Sequence, residues 1–298
     1  MNAIETLKKS LNWPEIRRRI ILHDQNNAAK RCRKYIQSKE ITDYLSQIKV
    51  GHPELIGQKI IWQYWKQGFK NAPDLVQLCT RSVDRYCSDC KVIRLDDVNL
   101  EQYLSFPDKL KIKLKSLSCT SWSDALRMCL LSLYGGCWLD ATVFLTDNFP
   151  SRYWEFPFFL YQRDVEERRK EYWENVFALY FGWGRGFKVN ILNSILFSKS
   201  NNEWVRSYTN VLLNILVREK ELHYFMSQIL FNEYIAIHSN EIPVESDCVP
   251  HYLQQYINDS RFSLASFDEI LDYTPIHKLT YKSADIALNL KLLFPEYS

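Results

Sequence analysis

From residue 58 onwards, short apolar runs alternate with longer segments of helical spacing. Strands are predicted over 59–65, 91–95, 137–145 and 155–162, and helices over 73–86, around 97–117, over 122–134 and through most of 203–238. Segment 187–198 also reads as largely helical, and the tail 267–298 as mixed. Strands that alternate with helices predict an α/β fold with a mostly parallel central sheet. On such sheets ligands bind beyond the carboxyl ends of the strands. Residues 1–48 are polar and basic with helical spacing, and predict two or three appended helices. The turn residues of 51–57 then mark a boundary, giving an N-terminal helical segment over 1–50 and a main domain over 51–298.

Composition narrows the class. The 298 residues are 46% hydrophobic with only 8 Gly and 10 Pro, which excludes a disordered or collagen-like chain. Charge is unevenly spread: residues 1–40 hold ten Lys/Arg against four Asp/Glu, whereas 41–298 hold 28 against 31. The body is therefore slightly acidic, which argues against a nucleic-acid-binding surface. The basic clusters at 8–9, 17–19 and 30–34 would each gain about 1 kcal/mol per charge beside anionic lipid, so peripheral membrane contact through 1–48 stands against a plain reading as solvated helix faces. The start of the chain lacks an apolar core followed by a small-residue cleavage site, so no signal peptide is expected. The most apolar stretch, 126–145, is interrupted by Arg127, Gly135-Gly136 and Asp140, and predicts no membrane span. Among eight cysteines only Cys87 and Cys90 have CxxC spacing and no second close pair follows, so reduced, mostly buried thiols in a cytoplasmic setting are expected rather than zinc.

The chemistry concentrates in Ser121-Trp-Ser-Asp-Ala-Leu-Arg-Met-Cys-Leu-Leu-Ser-Leu-Tyr-Gly-Gly-Cys-Trp-Leu-Asp-Ala-Thr142. Ser121 or Ser123 can cap a helix that buries Leu126, Leu130 and Leu133 and ends at Gly135. Asp124 and Arg127 share its other side. In the strand that follows, period-2 alternation points Trp138, Asp140 and Thr142 one way. Taken alone, Asp124 and Arg127 could be an ordinary helical ion pair worth a few tenths of a kcal/mol.

The order S-D-x-x-R, then G-G-x-W-x-D-A-T, resembles the signature of glycosyltransferases with a sugar-binding DXD motif, and most nearly that of the capsular polysaccharide synthesis protein family. Lys59-Ile-Ile-Trp-Gln-Tyr-Trp-Lys-Gln-Gly68 with Ala72-Pro73 resembles the family's opening strand, and Ile276-His-Lys-Leu-Thr-Tyr-Lys282 its closing motif. The resemblance spans about residues 55–285. It implies a GT-A type nucleotide-sugar-binding fold and a retaining transfer from a nucleotide-sugar donor, a UDP-sugar, to a lipid-linked oligosaccharide of capsule or O-antigen, with the enzyme in the cytoplasm or peripheral on the inner membrane face. Carried over by residue, it puts Trp65 on the nucleotide base and Trp138 in the donor site, while Asp124 binds sugar hydroxyls and Arg127 the sugar or diphosphate. Asp140, Thr142 and His277 would hold Mn²⁺ or Mg²⁺, and Lys278 would reach the diphosphate. Hard cations favour such oxygen ligands, but the second acid of a DXD motif is here Thr142, which puts metal dependence in question and leaves Lys278 and Arg127 as counter-charges. The same departure motivates an alternative: a non-catalytic sugar-nucleotide-binding or scaffold member of a surface-polysaccharide assembly. Trp62 reads as core, the glycines of 182–186 as an acceptor-side loop, and Asn193-Ser194 as sugar contacts at the start of a helical run.

Overall fold

The computed structural model describes residues 13–238, 242–259, 262–282 and 285–297. Helix α1 (Trp13–Ile36) and the short strand β1 (Lys49–Val50) precede β2 (Ile60–Tyr64), α2 (Asp74–Tyr86) and β3 (Lys91–Leu95). Next come β4 (Leu104–Ser105), α3 (Asp108–Lys115), α4 (Cys119–Leu133), β5 (Gly136–Leu139) and β6 (Val143–Leu145). They are followed by β7 (Phe158–Gln162), α5 (Lys170–Val176), β8 (Ile191–Ser198), α6 (Glu203–Arg218) and α7 (Met226–Ile237). The C-terminal part adds α8 (Tyr252–Asn258), α9 (Phe267–Tyr273), β9 (Ile276–Lys278) and α10 (Asp285–Leu293).

The central sheet has the order β3-β2-β5-β8-β7. Strands β3, β2 and β5 are parallel, and β8 runs against both β5 and β7, so four of the five strands share one direction. Every residue of β2 and β5 is buried, as expected of strands covered on both faces. Helix α4 packs against α6 and lies within the core, burying even Asp124 and Arg127. Ser118 caps it, its Oγ accepting from the Ser121 backbone at 3.1 Å, so the helix begins one turn earlier than expected. Gly135, at φ +77°, ends it: a Cβ there would meet the Ser200 backbone nitrogen at 2.5 Å.

Two expectations are corrected. Segment 187–198 is not helical, since 191–198 form β8. Only Asn193 among those eight residues escapes full burial, and a strand covered on both faces reads as a continuous apolar run without period-2 alternation. The expected strand 137–145 is broken in two: the Asp140 N–H still donates to the Ser194 carbonyl of β8 at 2.9 Å, but the chain turns at Asp140. The Asp140 carbonyl accepts from the Val143 N–H at 2.9 Å, and the turn sends the chain away to pair β6 with β9 in a separate two-stranded sheet.

The N-terminal segment is built into the body. Ala28, Ala29 and Cys32 of α1 are fully buried in the main core, Arg33 pairs with Glu233 of α7, and Gln25 accepts from the Lys188 N–H at 2.8 Å. The basic cluster at 8–9 lies outside the described residues, and Arg17, Arg18 and Arg19 are exposed. No helix among the described residues is long and apolar enough to cross a membrane. All eight cysteines are free thiols; six are buried, Cys90 is half-buried and Cys119 is exposed.

Candidate functional site

The turn after β5 places Asp140, Ala141 and Thr142 at the carboxyl end of the central strand, on the floor of a cleft of about 460 Å³. The buried Arg127 reaches this floor from α4. Its Nη1 donates to Asp124 Oδ1, and its Nη2 donates to Asp140 Oδ1 at 3.2 Å and to Ser123 Oγ at 3.3 Å. From β8, Asn193 Nδ2 donates to the same Asp124 oxygen at 3.0 Å. The Trp138 indole N–H donates to Asp140 Oδ1 at 2.8 Å, and the Arg127 guanidinium lies 5.2 Å from the centre of the Trp138 ring. Arg127 Nε is buried without a partner among the described residues.

The fourth charge comes from the closing segment. Register in the small sheet sets Lys278 opposite Val143, and the Leu279 N–H donates to the Thr142 carbonyl at 3.0 Å. Lys278 Nζ then donates to Thr142 Oγ1 at 2.5 Å and to the Leu279 carbonyl at 3.1 Å, and lies 3.7 Å from Asp140 Oδ2. Two carboxylates, a guanidinium and an ammonium thus meet at one strand end.

The two acids differ electrostatically. Burial pushes the Asp124 carboxyl from 3.8 up to about 6, against the pull of Arg127. Burial also raises Asp140, but there Arg127, Lys278 and hydrogen bonds from Trp138 and Ser194 outweigh it and hold the group below its ordinary range.

Most of the expected residues meet here: Asp124, Arg127, Asp140, Thr142 and Lys278 line the cleft, with Trp65 at one end. Trp65 is half-buried and packs edge-on against Tyr281 at 5.5 Å. Trp138 is buried beneath Asp140 and does not reach the cleft, so it touches a ligand only through that carboxylate. His277 is also set apart. It sits opposite Phe144, fully buried, with Nε2 3.1 Å from Thr146 Oγ1, and burial holds it down at about 3. Trp62 is core, its indole donating to the Gly135 carbonyl. The 182–186 loop packs on α1 under Arg18 and lines a separate groove. Asn193 and Ser194 do line the cleft, from a strand.

A divalent cation at a diphosphate site takes one or two protein carboxylates and fills its shell from phosphates and water, and the expected donors leave few oxygens for it. Asp124 Oδ1 and Asp140 Oδ1 are committed, Thr142 Oγ1 faces an ammonium, and His277 points elsewhere. Among the described residues no group of three or more His, Cys, Asp or Glu is placed to hold a metal.

The far half of the cleft carries no sequence motif. Phe177, Tyr180, Tyr224, Phe225, Gln228 and His251 wall it. His251 donates from Nδ1 to the Asp247 carbonyl at 2.8 Å, and burial depresses it to about 4, leaving a neutral imidazole at pH 7. Only the fold gathers these residues, from the loops after α5 and before α7, from α7 itself and from the approach to α8.

A solved structure described as PaToxG glycosyltransferase is similar at TM-score 0.40 and 12% identity, over 75% of this chain and 80% of that one. No sequence match to a curated protein reaches significance. The family model for capsular polysaccharide synthesis proteins matches residues 13–292, from α1 to α10 and through every motif of the cleft, and the chain belongs to that family.

Proposed function

We propose that this protein is a GT-A type glycosyltransferase that moves a sugar from a UDP-sugar to a lipid-linked oligosaccharide with retention of anomeric configuration. The observation that carries this reading is the buried Asp124–Arg127–Asp140 network, open to the cleft beside Lys278 at the end of the central strand. In this reading Trp65 and Tyr281 receive the base, Arg127 and Lys278 face the diphosphate, and Asp124 with Asn193 orients sugar hydroxyls. The anomeric carbon–oxygen bond breaks with its electron pair going to the diphosphate. The acceptor hydroxyl oxygen bonds to the same carbon from the same face, and its proton passes to the departing diphosphate oxygen. Fixed cations at the leaving oxygen lower the barrier because they require no reorganisation as charge develops.

Retention is favoured by what faces the acceptor. Among the described residues lining the cleft the only carboxylates are Asp124 and Asp140, and both are paired with Arg127. Neither is free to serve as the general base that direct displacement from the opposite face requires. The exposed Arg17, Arg18 and Arg19 on α1 fit a peripheral position on the inner membrane face, where a lipid-linked acceptor lies.

The test is calorimetric titration of a panel of UDP- and GDP-sugars, followed by assay of nucleoside diphosphate release. The expected result is binding and release with one donor. Asp140→Ala should lower release about 10³-fold with the melting temperature retained. Binding without turnover on any acceptor supports the non-catalytic reading that Thr142 motivates.

A further inference from the structure

A departing diphosphate needs positive charge beside its oxygens, and a divalent cation is a common source. In this cleft a side chain already occupies the place between the Asp140 carboxylate and residue 142. We propose that Lys278 is the built-in counter-charge for the diphosphate, so that donor binding and transfer proceed without a divalent cation. The inference rests on the reading of the cleft as a nucleotide-sugar site.

Geometry fixes the ammonium. Pairing of β9 with β6 sets Lys278 opposite Val143, the Leu279 N–H clamps the Thr142 carbonyl at 3.0 Å, and Nζ is tethered to Thr142 Oγ1 and the Leu279 carbonyl. An ammonium has three donors, and the third is left to Asp140 Oδ2 at 3.7 Å or to a ligand in the cleft that Lys278 lines.

The identity of residue 142 matters for the same reason. A carboxylate there would stand within hydrogen-bond distance of Nζ and neutralise it. The threonine hydroxyl holds the ammonium in place and leaves its charge for an anionic ligand. A metal would compete for the same two groups: Asp140 Oδ2 is the one oxygen of that carboxylate not engaged by Trp138 and Arg127, and a dication bound to it would lie against the Lys278 ammonium. Thr142 and Lys278 therefore form one device, in which the missing acid is what makes the cation usable.

The test is titration of UDP, with GDP and ADP in parallel, into the full chain in EDTA and in buffer with MgCl₂ or MnCl₂. The expected dissociation constant for the tightest nucleotide agrees within about twofold across the three conditions. Lys278→Met, which keeps the packing of the stem, should weaken binding about tenfold or more, the loss of one charge-assisted contact. Thr142→Asp supplies a second, independent variant: its binding should fall in EDTA and recover with Mn²⁺. Loss of wild-type binding in EDTA with recovery on adding metal overturns the proposal, as does metal-independent binding that Lys278→Met leaves unchanged. Failure of the wild type to bind any nucleoside diphosphate in either buffer overturns the nucleotide-sugar reading itself, a distinguishable result.

Discussion

Arg163 and Arg127 are both buried and both paired with carboxylates, yet only one of them faces solvent-accessible space. Arg163 is sealed. It donates from Nε and Nη2 to Asp247 at 3.0–3.2 Å, from Nη2 to the Tyr180 carbonyl and from Nη1 to the Gly182 carbonyl, and the rings of Tyr180, Phe181, Trp183 and Phe187 lie within 6.0 Å. Asp247 has no exposed side-chain surface, while Tyr180 and Cys248 also donate to it. Arg127 instead shares its charge between two acids, leaves Nε without a partner among the described residues, and ends on a carboxylate whose side chain is 24% exposed in the cleft. Burial and an ion pair are common to both. What separates a site from a staple is a charged network that opens on a cavity, here through the Asp140 carboxylate beside Lys278, because a sealed and fully satisfied network has nothing left to offer a ligand.

That contrast breaks first under paired substitution. Arg127→Met should cost about 10³-fold in transfer with a modest loss of stability, since Asp140 keeps Lys278 and Asp124 can take up a proton. Arg163→Met strands Asp247 in the interior and should cost about 3–5 kcal/mol of stability, while the folded fraction retains donor affinity. Urea unfolding and donor titration on both variants check this; equal stability losses would remove the distinction.

A smaller effect sharpens the picture of Arg127. Unfolded, Asp124 titrates near 3.8, and folded near 6. Between those values the native state holds a proton that the unfolded chain has released, so this group makes stability fall as pH rises, by about 3 kcal/mol across the window. Asp124→Asn lacks that titration. Its stability relative to wild type should therefore rise from pH 4 to pH 6 and then level off, as read from denaturant curves. Parallel curves would show that Asp124 is ionised throughout.

The sequence made the working corner legible and left its opposite wall dark. Helix α4 and the β2–α2–β3 unit follow local rules, a positive-φ glycine, apolar periodicity and short strands between helices, whereas the Ser118 cap and the turn at Asp140-Ala141-Thr142 depart from the expected later cap and unbroken strand. Strand β8 follows no such rule, because its apolar run is buried on both faces and carries neither a period of 2 nor one of 3.6. His277 and Lys278 show the same limit on a smaller scale. Which of two neighbours faces the cleft depends on their pairing with Phe144 and Val143, 133 and 135 residues away along the chain, and no local pattern encodes that register. Gln228 and His251 were invisible for the further reason that each belongs to no motif and is brought to the cleft by tertiary packing alone.

The most direct test is a crystal structure of the full chain with UDP bound in the presence of EDTA. The diphosphate is expected within hydrogen-bond distance of Lys278 Nζ and beside Arg127, with the base against Trp65. A diphosphate lodged elsewhere, in the groove between α1 and the 182–187 loop for instance, would contradict it.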